Sequence, residues 1–239
     1  MEGPYISAVR LKSAPGSGSY LAGLPVLRHL AETGKLQFDR AVTFLVGENG
    51  TGKSTLLEGI AVAAGFNAEG GSKNFNFATR ESHSELHEHL TLVRRGYPQD
   101  GFFLRAESFY NAASYIDEVM YQDSYGGVSL HRQSHGESFL ALVRHRFGGQ
   151  GLYLLDEPEA ALSPTGLLTL MAEIHRLTQA GSQFIIATHA PMLMALPEAR
   201  IYELSEAGIE SVAYRETGHY RITRRFLEDP EGVLGRVLE

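Results

Sequence analysis

Short uninterrupted apolar runs alternate along this chain with segments whose apolar positions recur every three or four residues. Tyr5–Leu11 alternates apolar and polar positions as a half-covered strand does. Leu24–Thr33 reads as a short helix. Ala41–Val46 (AVTFLV) is a β-rich apolar run that stops at Gly47, the pattern of a strand buried on both faces, and Ser54–Ala64 follows as a helix. Gly101–Arg105, Leu152–Leu155, Gln183–Thr188, Ile201–Leu204 and Ile209–Tyr214 repeat the strand pattern. Glu137–Phe147 has helical spacing, with Phe139, Leu140, Val143 and Phe147 on one face. In Thr165–Ala180 the residues Leu167, Leu170, Met171, Ile174 and Leu177 form one stripe. Helical segments follow the last strand. Residues 65–101, rich in Gly, Asn, Ser and His, give no clear period before the Gly101 strand, and Ser13–Ser19 is loop-like. Strands alternating with helices predict an α/β fold: a mostly parallel sheet with helices on both faces. A small helical lobe is expected over about 106–140, inserted in a single domain spanning 1–239.

Composition narrows the chemistry. Hydrophobic residues make up 43% of the 239 and charged residues 21%, which excludes a disordered chain and supplies a real core. The absence of cysteine removes disulfides, thiolate metal sites and cysteine nucleophiles. A net charge of −7 does not favour nucleic acid as a partner, although a local basic patch is compatible with it. No apolar run approaches the length of a membrane span, and the N-terminal segment lacks a secretory pattern. The expectation is a soluble, cytoplasmic protein.

One segment carries specific chemistry. Gly47-Glu48-Asn49-Gly50-Thr51-Gly52-Lys53-Ser54 fits G-x-x-x-x-G-K-[ST] between an expected strand and an expected helix. Glycines let the backbone curl so that successive N–H groups face one anion, at a helix start that carries partial positive charge. Lys53 is placed to reach the β- and γ-phosphates, and the Ser54 hydroxyl to hold Mg²⁺. Thr55, next along, joins the expected nucleotide contacts. Much later, Leu152–Leu155 runs into Asp156-Glu157. A strand tip there sets Asp156 beside the phosphate loop to bind Mg²⁺ through water. Glu157 faces the other edge, where a general base would deprotonate an attacking water.

These residues resemble the ATP-binding-cassette (ABC) class of P-loop ATPases. Gln133-Ser134-His135-Gly136-Glu137 stands where that class carries its signature, usually Leu-Ser-Gly-Gly-Gln. Ala161-Leu162-Ser163 stands where it carries the D-loop, Thr188-His189 where it carries the switch histidine, and Glu107 where it carries the Q-loop glutamine. The chain as a whole is most similar to small bacterial ATPases named as AAA-family but of ABC type, without transmembrane or coiled-coil regions. The segments GENGTGKSTLLEGIAVAAGFNAEGGS, GFFLRAESF, SHGESFLAL, LLDEPEAALSP and GSQFIIATHAP carry that likeness. The resemblance implies ATP as substrate and two protomers facing head to tail around two ATP molecules. Ser134, Gly136 and Glu137 of one protomer would meet the γ-phosphate held by the other. His189 would contact the γ-phosphate and the attacking water, and Glu107 would coordinate the metal. Here His135 replaces the first signature glycine and Glu137 the final glutamine.

The implied function is ATP hydrolysis coupled to an unknown process, with an unknown protein partner. The alternatives are a nucleotide-binding subunit working with a separate membrane protein, and a DNA-maintenance or defence ATPase. Other clusters are read conservatively. His83, His87 and His89 are taken as a solvated face rather than a metal site, and Arg94-Arg95 and Arg224-Arg225 as surface pairs. Phe102, Phe103, Phe109, Tyr110 and Tyr115 are assigned to strand and helix core. Tyr20 is weighed for stacking on adenine, and no residue is assigned to that role.

Overall fold

The computed structural model describes residues 4–16, 18–72, 84–105 and 134–238. Its centre is a six-stranded sheet formed by β3 (Val42–Val46), β5 (Asp100–Arg105), β6 (Gly151–Asp156), β7 (Gln183–Ala187), β8 (Arg200–Ser205) and β9 (Gly208–Ser211). The order is β5-β6-β7-β3-β8-β9, and every neighbouring pair is parallel except the β8-β9 hairpin at the edge. The fold class expected from the pattern is the one observed.

Alternation along the strands explains why their sequences are apolar throughout. Phe44, Tyr153, Phe184 and Ile186 point to one face, where they meet α3 (His135–Arg146) and α4 (Pro164–Gln179) through Phe139, Leu142, Leu170 and Ile174. Leu45, Leu154 and Ile185 point to the other, against Leu56, Leu57 and Ile60 of α2 (Lys53–Ala64) and Leu27 and Leu30 of α1 (Pro25–Thr33). The central strands β3, β6 and β7 therefore have a core on both sides, as parallel strands require.

The pattern does not predict a second sheet. β1 (Ile6–Leu11) lies between β2 (Leu36–Gln37) and β4 (Leu90–Arg94), antiparallel to both. It closes the core on the α2 face. Gln183, fully buried at the start of β7, joins the two sheets: Ile6 N–H donates to its Oε1 (2.9 Å), and its Nε2 donates to the Ile6 carbonyl (2.8 Å). The side-chain amide thus satisfies both main-chain groups of a buried residue, which would otherwise be costly to leave unpaired.

Phe102 and Phe103 are fully buried in β5, on opposite sides of the sheet. The strand expected over Ile209–Tyr214 stops at Ser211, and Tyr214–Glu216 forms a short 3₁₀ turn instead. The chain ends in two helices, α6 (Gly218–Glu228) and α7 (Pro230–Val237), with α5 (Pro191–Met194) earlier, after β7. Arg224 of the expected surface pair bonds Glu228 one turn on. Within the other, the Arg94 guanidinium donates to the Ala63 carbonyl. Of the expected helical lobe, residues 106–133 lie outside the described residues, with Glu107, Phe109, Tyr110, Tyr115 and Gln133; His83 does too. Residues 134–140 belong to the start of α3.

Replacing Gln183 by Leu keeps the volume but strands the N–H and C=O of Ile6. We expect urea unfolding to show roughly 1–3 kcal/mol lower stability, and an unchanged midpoint would contradict the role given to this amide.

Candidate functional site

The parallel strands β6, β7 and β3 end level with one another. Asp156 is in register with Ala187, and Ala187 with Leu45. The three loops that leave these strands therefore emerge at one edge, the carboxyl end where open α/β sheets bind ligands.

After β3 comes the glycine-rich loop. Gly47, Gly50 and Gly52 all have positive φ (139°, 81° and 91°), a conformation open to glycine and strained for other residues. A Cβ on Gly47 would run into the Leu204 carbonyl of β8, so this position needs glycine on steric grounds as well. The loop is tied through the Glu48 carbonyl, which accepts from Thr51 Oγ1 (2.9 Å) and Lys53 Nζ (2.9 Å). Lys53 opens α2 and is only 4% exposed. Burial lowers its pKa, while Glu157, Asp156 and Glu48 act to hold its charge.

After β6 the two carboxylates diverge. Asp156 is buried, and Ser54 Oγ donates to its Oδ1 at 2.9 Å. Burial pushes its carboxyl up to about 6, with the Ser54 hydrogen bond and Arg105 pulling the other way and Glu157 and Glu58 adding to the rise. Glu157 has left-handed backbone (φ 49°, ψ 51°), rare outside glycine and of order 1–3 kcal/mol in cost. Its N–H still bonds the Ala187 carbonyl (2.9 Å), and Pro158 follows at once. Its side chain is 44% exposed, whereas that of Asp156 is 8% exposed. After β7, His189 sets Nε2 at 3.5 Å from Glu157 Oε1. The fold thus brings together Lys53, Ser54, Asp156, Glu157 and His189.

The signature residues form a separate group. Ser134 caps α3: Glu137 N–H donates to its Oγ, while Ser134 N–H (2.9 Å) and Oγ–H (2.7 Å) donate to Glu137 Oε2. Hydrogen bonding to Ser134 holds the exposed Glu137 carboxyl below its ordinary pKa. The glutamate that departs from the family's glutamine therefore closes a capping box, a signal already present as Ser-x-x-Glu. A Cβ on Gly136 would stand 3.0 Å from the Ala161 carbonyl, so α3 starts tightly against the turn Pro158–Ala161. Glu107 lies outside the described residues.

Beside the loop opens a cavity of about 920 Å³. Residues 47–51 line it with Tyr20, Arg28, Glu203, Glu206 and His219. Among the described residues, the signature set does not line it.

Four neighbours of the site are not foreseen by the sequence pattern. Arg105, at the tip of β5, lies 3.5 Å from Asp156 Oδ2 and 2.9 Å from Glu58 Oε2 of α2. Glu159 accepts the His189 N–H. His219 of α6 stands 3.0 Å from the His189 ring. Each is a single residue whose partner lies on another element, so no local spacing announces it. His87 and His89 sit in a 3₁₀ turn and contact Ser84 and Ser13 respectively, and among the described residues no group of three or more metal-ligating side chains occurs.

The fold is that of the ABC-type P-loop ATPases, with a glycine-rich loop, Lys53, Ser54 and Asp156 at the carboxyl edge of the sheet. Comparison with known proteins agrees. Residues 26–105 match the family model described as AAA domain. The chain is 28% identical over 173 residues to the cytochrome c biogenesis ATP-binding export protein CcmA of Vibrio vulnificus, covering 67% of this chain and 84% of that protein. It is 24% identical over 193 residues to the ribose import ATP-binding protein RbsA of Bacillus cereus, covering 70% of this chain and 37% of that one. The fold matches cbiO1 of Clostridium perfringens, part of the ABC transporter complex cbiONQ, with a TM-score of 0.51 over 98% of both chains at 15% identity. Among the described residues, no helix is long and apolar enough to cross a membrane.

A buried carboxyl with a raised pKa has a defined consequence. The native chain binds the Asp156 proton more tightly than the unfolded chain does. Stability therefore falls as pH rises from about 4 to about 6, by up to roughly 3 kcal/mol. Asp156→Asn, free of metal and nucleotide, should melt roughly 4–10 °C above wild type at pH 7.5, with the gap closing near pH 4. Equal melting temperatures at pH 7.5 would contradict this.

Proposed function

We propose that this chain is a single ATPase domain, with the helical lobe as part of it, that hydrolyses ATP in a head-to-tail dimer in the cytoplasm and couples that cycle to a protein partner. The observation that carries the reading is the convergence of Lys53, Ser54, Asp156, Glu157 and His189 at one sheet edge. Residues 47–55 cradle the triphosphate with main-chain N–H groups, and Lys53 neutralises the β- and γ-phosphates. Mg²⁺ fits the donor set: the Ser54 hydroxyl and the buried Asp156 carboxylate are hard oxygen ligands, and burial makes that carboxylate costly to charge without a cation. The ion would sit near these two residues, with Glu107 assigned beside them by resemblance, and would offset phosphate charge. Glu157, half-exposed beside His189, orients the attacking water and takes its proton. His189 holds the γ-phosphate.

The dimer reading rests on the second group of residues. Ser134, Gly136 and Glu137 cap a helix apart from the cavity of their own chain, and Ser134 and Glu137 are exposed. A second copy would bring them to the γ-phosphate, with Leu162 and Ser163 near the seam. Nucleotide then binds the protomers together, and hydrolysis releases them.

A second reading, the nucleotide-binding subunit of a membrane transporter, is supported by the export and import functions in the names of CcmA and RbsA. Co-purification with a membrane protein would favour it.

Glu157→Gln removes the base and keeps the shape. Turnover should fall by roughly 10²–10⁴, a barrier increase of about 3–5 kcal/mol. The variant should bind ATP and accumulate as a dimer by light scattering. A variant that stays monomeric at saturating ATP would refute the dimer, and one that hydrolyses at the wild-type rate would refute the role of Glu157.

A further inference from the structure

The start of α6 is fixed against the sheet by its own hydrogen bonds. Thr217 is fully buried and caps the helix: Tyr220 N–H donates to its Oγ1 (3.2 Å), and its hydroxyl donates to the Tyr214 carbonyl (2.9 Å). Gly218 N–H donates to Glu203 Oε1 of β8 (2.9 Å). The next residue, His219, is thereby carried to the strand tips. Its Nε2 stands 3.0 Å from Nδ1 of His189, with ring centroids 5.1 Å apart and planes inclined at 60°. The other ring nitrogen of His189, Nε2, is buried, has no hydrogen-bond partner among the described residues and lies 3.5 Å from Glu157 Oε1.

Two neutral imidazoles in contact through ring nitrogens share one hydrogen, so one must donate and the other accept. If His219 Nε2–H donates, His189 Nδ1 is the acceptor and the His189 hydrogen sits on Nε2. That nitrogen faces the Glu157 carboxylate and the region assigned to the γ-phosphate, where a donor is needed. If the bond ran the other way, His189 would present a lone pair to two anionic groups. Burial and the neighbouring His189 hold His219 below its ordinary pKa, with Lys53 acting the same way and Glu48 and Glu203 opposing, which keeps it neutral at pH 7.5.

We propose that His219 is a positioning residue for ATP hydrolysis: it donates from Nε2 to His189 Nδ1, fixing the Nε2–H tautomer of His189 and aiming that hydrogen at the γ-phosphate. The proposal rests on the role of His189 given above. It follows the general logic by which a third group orients a catalytic imidazole. It also ties α6 to the nucleotide site, because the element that fixes the tautomer is the first turn of that helix.

The test combines kinetics with a spectrum that needs no turnover. Wild type, His219→Ala, His219→Gln, His189→Ala and the double alanine variant are assayed with Mg-ATP. His219→Ala should lose roughly 10–100-fold in kcat, with KM changed by less than about two-fold. His219→Gln, whose amide can donate to Nδ1, should recover most of the loss. The double variant should be no slower than His189→Ala alone, since the two act as one unit. In ¹⁵N-histidine spectra at pH 7.5, wild-type His189 should carry its proton on Nε2, and His219→Ala should give a tautomer mixture. A kcat for His219→Ala within about two-fold of wild type, additive losses in the double variant, or a wild-type His189 protonated on Nδ1 would overturn the proposal. Wild type without ATP turnover would overturn the reading of the site instead, and the ring-nitrogen spectrum would still decide the tautomer.

Discussion

The hydrogen bond from Ser54 to Asp156 joins two halves of a site that are far apart in sequence. It can form only because β7 separates β3 from β6 and keeps all three strands parallel and level. A slip of one residue in β6 would send Asp156 to the opposite face of the sheet and bury Glu157 in its place. The apolar side chains that line both faces of these strands are what prevent that slip. Register in the core therefore decides which carboxylate meets the phosphate loop and which stays in water.

Charge at this edge is unbalanced in a consistent direction. Among the described residues, Asp156, Glu157, Glu159 and Glu58 gather around two cations, Lys53 and Arg105. Lys53 is already engaged with its own loop, and Arg105 contacts Asp156, Glu58 and the Ala68 carbonyl. Burial is the main reason the Asp156 carboxyl is raised, and Glu157 and Glu58 add to the rise. A nucleotide alone would worsen it through its own negative charge, whereas nucleotide together with a divalent cation relieves it. On the proposed function, the site would favour the metal complex of its substrate over the free anion.

The central strands, their helices and the phosphate loop are legible in the sequence because each is local. Val42–Val46 and Gly151–Asp156 are apolar throughout since both faces are covered, and the glycines of the loop follow from its curled backbone. β4 is not legible: Leu90–Arg94 has a mixed pattern of buried and exposed positions, comes after a histidine-rich turn, and is a strand only because β1 pairs with it from far upstream. Arg105 and His219 are hidden for a related reason. Their partners are set by strand order and by the cap of α6, which no spacing encodes. Glu137 is the reverse case: Ser-x-x-Glu is a local capping signal, yet a family pattern shows it only as a departure from glutamine.

The contact between Gly136 and Ala161 gives the molecule a stiff lever. Helix α3 begins almost in touch with the main chain four residues past Glu157, with no side chain between them to yield. A shift carried along the turn Pro158–Ala161 would press on the start of α3, beside its cap at Ser134. On the proposed dimer, events at Glu157 and the presentation of Ser134 to a second copy would be geared together through this close contact.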